Sequence, residues 1–336
     1  MGVSYTNVNR PGANLQSGNN VQVGAAPSAT SPLALHIEQF AGIVEGTIAR
    51  KSIIRNFVPV RNVQGTSTIS GFQVGESTLA KVTPGTEPDG SVNQATKNKL
   101  TIDTLVNARA ITPLLDDFQN SYDAKKQIGE EHGKKIAKFF DQSFFIQAIK
   151  AAQMTNAGLP AGWQGGSTMA MAALADEQDA QKLEFRILDL FAAMADKDVD
   201  VVEDDCVMVL KPAMFYTLLK NNRLVDRELI TSEGTTIKTK ALSAAGVPIY
   251  FSNNLPTTSI TNHFLSNAGN SNAYDGDFTK TIGTVFNPRA FLAGETIPLT
   301  SDVFYDKKSK SWFIDAHLAF GVAPANPQYA GLLTSK

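Results

Sequence analysis

Gly129-Glu-Glu-His-Gly133-Lys134-Lys135 comes nearest to a chemistry-bearing motif in this chain, because a glycine-rich loop ending in lysine can cradle phosphates. Its glycines stand one residue too close, and no Ser or Thr follows the lysine. It also lies inside a helical pattern, whereas a phosphate loop needs free backbone N–H groups between a strand and a helix. The four histidines, His36, His132, His263 and His317, are isolated from one another and show no paired metal-ligand spacing, so each reads as a surface or core residue. Cys206 is the single cysteine; in Cys-Val-Met-Val-Leu210 it reads as an inert core residue of an apolar strand. Glu203-Asp204-Asp205 and Asp275-Gly-Asp277 lack the full calcium-loop pattern and read as solvated loop charge. No Gly-x-Ser-x-Gly elbow or dinucleotide fingerprint occurs. The sequence therefore predicts no catalytic residue, no cofactor and no metal. That weakens an enzyme reading, although active sites also assemble from scattered residues.

Composition narrows the remaining classes. The 336 residues are 43% apolar, ample for a sizeable core, and 25 glycines and 15 prolines point to a loop-rich fold with much β structure. A formal charge of -2 with no Lys/Arg run argues against a nucleic-acid condenser, since affinity for phosphates comes from clustered cations. Contact with nucleic acid is expected to be weak and non-specific. No apolar run reaches the ~20 residues of a membrane span, and the N-terminus lacks a signal-peptide layout, so the expected setting is a cytoplasm. Met1-Gly2-Val3-Ser4-Tyr5-Thr6 fits the myristoylation pattern but has no polybasic second signal.

The elements follow from periodicity. Residues 1 to 32 are Gly, Asn, Ser, Ala and Pro with few large apolar groups, and predict a mobile arm. From Leu33 a helix carries Ile37, Phe40, Ala41, Val44 and Ile48 on one face. A long helix is predicted from Asp116-Asp117 to Gln153, roughly 50 Å long, with Ile128, Ile136, Phe140, Phe144 and Ala148 as its stripe and a bend or break at Gly129 and Gly133. Beyond a loop at 156–166, a helix over Asp176 to Ala195, a strand at Cys206 to Leu210, a short helix from Pro212 to Asn221 and a strand at Val247 to Phe251 make a second α/β region. Residues 253 to 277 read as loop. Strand-like runs at Ile282 to Phe286, Ile297 to Tyr305 and Ser311 to Phe320 close the chain, with a turn at Asp306 to Lys310 and a Pro-rich tail at 324–327.

Residues 57 to 112 read as two long strands joined by the polar tip Thr83-Pro-Gly-Thr-Glu-Pro-Asp-Gly90. Leu100, Ile102, Val106, Ala108 and Ala110 share one face. An isolated pair of strands is marginal in water, so the arm is expected to rest on another copy of the chain. The competing expectation is a hairpin folded onto its own domain.

This order of elements resembles that of the major capsid protein of tailed double-stranded DNA phages, an α+β, Hong Kong 97-like phage capsid fold. In Leu33-Ala-Leu-His-Ile-Glu-Gln-Phe-Ala-Gly-Ile-Val44, Leu115-Asp-Asp-Phe118 and Gly246-Val-Pro-Ile-Tyr-Phe251 it is similar to the short-tailed, T-seven-like podovirus group. The resemblance spans roughly residues 33 to 336. It implies an N-terminal arm and helix (1–56), an extended E-loop (57–112), a peripheral domain with a spine helix (113–155), an axial domain (156–287) and C-terminal strands of the peripheral domain (288–336). It implies a self-assembling subunit of an icosahedral shell, built of hexamers and pentamers, whose E-loop lies across a neighbour. Arg61, Glu76, Lys81, Glu87, Asp89 and Lys97 are the candidate interface residues in that loop. The implied partners are further copies, a scaffolding protein, a portal protein and packaged double-stranded DNA, with no membrane, in a virion assembled in a host bacterial cytoplasm. Some members crosslink a lysine to an asparagine of the next subunit; Lys81, Lys97 and Lys99 are present here, without an identified partner. Near-neutral charge suits a wall that encloses DNA without gripping it.

Two other functions stay open at this point. An encapsulin-like bacterial nanocompartment shell shares the fold, and a cytoplasmic α/β enzyme is the rival of a different class. The polar N-terminal 32 residues favour the phage over the compartment.

Overall fold

The computed structural model describes residues 52, 54–75, 77, 79, 81, 95–115, 124–157, 159–220, 229–230, 236–237 and 242–336. The expected N-terminal arm, the helix at 33–48, the start of the long helix at Asp116-Asp117 and the tip at 83–90 lie outside these residues.

The long helix, α1 (Ala124–Gln153), is the axis of the molecule. Thirty residues make it about 45 Å long. It stays helical through Gly129 and Gly133, both buried, so the expected break does not occur. Tertiary packing outweighs the propensity cost of two glycines, as it does for most protein helices. Ile136, Phe140, Phe144 and Ala148 are in the core as the four-residue stripe predicts. The second half goes further, because every residue from Ser143 through Ile149 is buried, Gln147 included. Its polar groups are matched locally: Ser143 Oγ donates to Phe139 O at 2.8 Å and Gln147 Nε2 to Ala273 O at 3.1 Å. The fully buried Asp141 accepts from Ser52 Oγ at 2.5 Å and Asn254 Nδ2 at 3.1 Å.

Two sheets pack around α1. The first is built from β1 (Arg61–Asn62), β4 (Val106–Pro113), β14 (Phe291–Asp306) and β15 (Ser311–Pro324), in the order β1–β14–β15–β4. Its centre is the long antiparallel pair of β14 and β15. Their turn falls where expected, and Asp306 organises it by accepting from the backbone N–H of Lys308 at 3.0 Å and of Ser309 at 3.2 Å. β1 pairs parallel with β14 at Gly294 and Glu295, and β4 pairs antiparallel with β15. The expected two-strand arm over 57–112 is therefore corrected. Only β2 (Thr68–Val74) and β3 (Ala95–Thr101) form the hairpin, while β4 returns to the body. The reason lies in the alternation itself: Val106, Ala108 and Ala110 pack against the α1 core, leaving Arg109 to pair with the buried Asp315 across the sheet.

The second sheet contains β5 (Ser167–Ala170), β6 (Val207–Leu210), β9 (Leu242–Ala244), β10 (Val247–Phe251), β13 (Thr281–Phe286) and β16 (Ala330–Thr334). Their order is β5–β16–β13–β6–β10–β9. α1 covers one face and α2 (Ala180–Ala195) the other. Val207 and Val209 point to the α1 core, and Met208 and Leu210 to the α2 core. A strand buried on both faces reads as a continuous apolar run, which is what makes β6 visible in the sequence. α2 starts four residues later than Asp176, behind the cap Asp179, whose carboxylate accepts from Gln181 N at 3.0 Å. α3 (Pro212–Leu218) has the expected Pro in its first turn. The short pairs β7 (Leu229–Ile230) with β8 (Thr236–Ile237), and β11 (Ser259–Ile260) with β12 (Gly276–Asp277), complete the strands.

Loop 253–277 is ordered by a carboxylate expected to be merely solvated. Asp275 accepts from Asn262 N and His263 N at 2.9 Å each and from Ser266 Oγ at 2.6 Å. These bonds, the Ser266 hydroxyl foremost, hold its carboxyl below the usual range.

Candidate interface site

The arm presents two unlike faces. Alternation in β2 and β3 turns Ile69, Gly71 and Gln73 with Asn98 and Leu100 toward the body, and Ser70, Phe72 and Val74 with Lys97 and Lys99 outward. On the outer face Phe72 is 72% exposed and stands in register with Lys97, and Ser70 with Lys99. Phe72 and Val74 together make an uncovered apolar strip flanked by cations.

The inner face is seated on the same chain. Val63, Ile69, Leu100 and Ile102 cluster with Leu292 and Ala319. The body makes room by omitting side chains. A Cβ built on Gly294 would lie 1.9 Å from Ile69 Cδ1, and one on Gly321 would lie 3.2 Å from both Leu100 and Ile102. Hydrogen bonds pin the ribbon further along. Gln73 Nε2 donates to Asn326 Oδ1 at 2.8 Å and to Ala325 O; Asn98 Nδ2 donates to Ala325 O at 3.1 Å; and Trp163 Nε1 donates to Val74 O at 2.8 Å. The expectation that the arm lacks cover within its own chain is thus corrected for its base. It holds for the outward face among the described residues.

Between the ribbon and the body runs a cleft of about 400 Å³. Arg61 and Arg289 line it, with Phe72, Gln73 and Asn98. Arg289 is fixed by a bond to Asp204 Oδ1 at 3.1 Å and lies over the Tyr329 ring at 6.0 Å. Asn287 donates to the Asp204 carbonyl and accepts from Arg289 N at 2.7 Å, which locks the turn that carries the arginine. Gln73 is 4% exposed, and its Oε1 is buried with no hydrogen-bond partner among the described residues. A buried carbonyl left without a donor costs of the order of 1–3 kcal/mol.

Of the six charged residues singled out in the sequence, Arg61 lines the cleft, Lys97 lies on the outer face and Lys81 is exposed beyond β2. Glu76, Glu87 and Asp89 lie outside the described residues. Sequence reasoning missed Phe72, Gln73 and Arg289. The signal available for the site is the pair of strand glycines, Gly294 and Gly321, since glycine inside a strand marks close backbone approach.

The groups that could do chemistry are placed for structure. Cys206 is buried, and burial pushes its thiol up to about 12, so the thiolate is suppressed at neutral pH. His263 lies between the Phe139 and Tyr274 rings, at centroid distances of 5.1 and 5.2 Å, and accepts from Leu265 N through Nδ1. Gly129 to Lys135 lies wholly in α1. Among the described residues no cluster of three or more His, Cys, Asp or Glu could hold a metal ion, and no helix is long and apolar enough to cross a membrane.

Residues 98–334 match a family model described as phage capsid protein. Among solved structures, the capsid of the cyanophage P-SCSP1u is similar with a TM-score of 0.70 at 21% identity, over 85% of this chain and 88% of that one. The mature capsid of bacteriophage PhiM1 follows with 0.68 at 22%, over 85% and 87%. A virus-like particle from Pyrococcus furiosus matches with 0.54 at 11%, over 89% and 99%. No curated protein matches.

Proposed function

The chain belongs to the phage capsid protein family, and we propose that copies of it tile, as hexamers and pentamers, an icosahedral shell around double-stranded DNA. Its fold is the Hong Kong 97-like α+β capsid fold, and it is a structural subunit of a virion capsid. The observation that carries the assembly is the two-faced arm: its base is fixed to the body, and its outer strip, with Phe72 at 72% exposure, is left uncovered. Burying that strip on a neighbour removes apolar surface from water at ~25 cal/mol per Å². The gain per copy is modest, but repetition by symmetry makes a closed shell strong.

On this proposal the chain divides into arm, E-loop, peripheral domain with α1, axial domain and C-terminal strands, with the E-loop drawn in from 57–112 to the ribbon of β2 and β3, because β1 and β4 belong to the body sheet. Lys81 and Lys97, with Glu76, Glu87 and Asp89, contribute to contacts between copies. A scaffolding protein guides assembly in the host cytoplasm, a portal protein occupies one vertex, and DNA meets the wall without specific grip, as a formal charge of -2 suggests. The protein acts as wall material rather than as an enzyme, and the virion belongs to the short-tailed group. Co-expression with the scaffold, gradient sedimentation and negative-stain microscopy test this. Closed shells are the expected product; a chain that stays monomeric with its scaffold present would overturn the proposal, and a shell that takes up protein instead of DNA would indicate a compartment.

A further inference from the structure

Independently of how copies assemble, we propose that the cleft beside β2 binds a small nucleotide with an amino-substituted base, its phosphate on Arg61 and Arg289 and its base along the open edge of β2. The charge of the cleft selects an anion. Arg61 and Arg289 line it, and no Asp or Glu does. Arg61 is exposed and has no ion pair among the described residues, while Arg289 is fixed by Asp204 and keeps further N–H groups to donate. The guanidinium fork matches phosphate oxygens, and two forks suit a dianion.

The edge of β2 selects what the anion carries. β2 pairs with β3 alone, so one side of it is open. Ile102 N donates to Ser67 O, which turns the main-chain groups of residues 67, 69, 71 and 73 toward β3. Those of Ser70 and Phe72 therefore point away from β3, and both residues line the cleft. Val74 O, next in that series, is taken by Trp163 rather than by β3, in the same phase. The C=O of Ser70 and the N–H of Phe72 thus stand as acceptor and donor two residues apart on one edge. An amino-substituted base presents the complement, an exocyclic N–H beside a ring nitrogen.

Gln73 calls for the same ligand. Its Nε2 donates to Ala325 O, which can only accept, so the amide cannot be turned over and the buried Oε1 is left without a donor among the described residues. An exocyclic amine carries two N–H groups, and Ser70 O and Gln73 Oε1 are two acceptors. Size agrees: about 400 Å³ falls within the ~300–1,000 Å³ of small-molecule sites and exceeds what one phosphate fills. Phe72, Pro288 and Phe291 supply apolar surface for the ring. One wall of the cleft is arm and the other is body, so a bound nucleotide ties the ribbon down.

Isothermal titration of the soluble full-length subunit with adenosine monophosphate (AMP) tests the site. A Kd below ~1 mM near physiological salt is expected, with adenosine, inorganic phosphate and uridine monophosphate, whose base lacks the exocyclic amine, each at least about tenfold weaker. Arg61→Ala should weaken AMP at least about tenfold and leave adenosine unchanged, with circular dichroism to check that this variant is folded. AMP should also slow amide exchange in β2 and protect the ribbon from proteolysis. No heat from AMP at ~10 mM, or protection confined to another part of the chain, would overturn the proposal. Equal affinity for AMP and inorganic phosphate would mean an adventitious ion only. A single-stranded oligonucleotide that binds where AMP does not would mean non-specific contact with a nucleic-acid backbone, and would overturn it too. None of these outcomes bears on the shell reading, which is decided separately by whether the chain forms shells.

Discussion

Gly294 and Gly321 stand opposite each other across β14 and β15, and the arm residues above them, Ile69 and Leu100, are themselves a register pair. Two strand pairs are thus stacked, glycine under aliphatic, and the arm sits where the body has no side chains. Gly294→Val should cost about 1–3 kcal/mol by overpacking, read from urea unfolding, and should speed proteolysis of the arm. Gly71→Ala is the control, because its Cβ would meet Leu292 only at 3.8 Å, an ordinary contact. Equal behaviour of the two variants would mean that the arm is not seated on Gly294.

Phe140 is 2% exposed, with Phe144 at 4.7 Å, Phe320 at 5.0 Å and the Arg55 guanidinium 5.7 Å from its ring. Phe140→Ala should therefore cost about 3–5 kcal/mol in subunit stability, measured in denaturant. A loss below ~1 kcal/mol would contradict the packing of α1 against β15.

Phe72 makes the converse case. Its ring touches solvent in the isolated subunit, so Phe72→Asp should change subunit stability by no more than about 0.5 kcal/mol. Shell yield in the scaffold-assisted assembly should nevertheless collapse. Normal shells from this variant would show that the outer strip stays uncovered.

Burial holds the His263 imidazole below its ordinary value of 6.5, with the Asp275 carboxylate working the other way. The folded state then binds fewer protons than the unfolded state just below pH 6.5. The stability from this group is fully present above pH 6.5 and is lost as pH falls from there through the folded value. Acidification from about pH 7 to about pH 5 should lower the protection factors, exchange corrected for the intrinsic rate at each pH, in loop 262–275, where Leu265 N donates to Nδ1. His132 is shifted in the same direction by burial, so His263→Phe should reduce the pH slope of the urea midpoint rather than abolish it. An unchanged slope would rule out His263 as a contributor.

Cys206, with its thiol pushed up to about 12, should resist alkylation at about pH 8 in the native subunit and react at once in denaturant. Rapid native labelling would mean that the start of β6 opens easily.

The helices and the doubly buried strand are legible in the sequence because each announces itself locally. α1 repeats Ile136, Phe140, Phe144 and Ala148 every fourth residue, α2 carries a clean stripe, and β6 is uniformly apolar. β16 is not legible: Ala330-Gly-Leu-Leu-Thr334 is five residues following Pro324 and Pro327, and only the flanking β5 and β13 make it a sheet strand. The extent of the arm is hidden for a related reason. Strands 95–101 and 106–113 have the same alternation, and nothing in sequence tells which partner each will take. The cleft is the least visible, since Arg61, Gln73 and Arg289 come together only when distant segments meet.

Gln73 and Ala325, whose hydrogen bond helps pin the arm, lie 252 residues apart. At ~5–20 residues per second of synthesis, the ribbon waits on the order of 13–50 s before its floor exists. An arm in a nascent chain therefore has neither a rigid base nor a finished cleft. On the shell proposal, competence to join a neighbour through the arm then comes late, with the strands that complete the body.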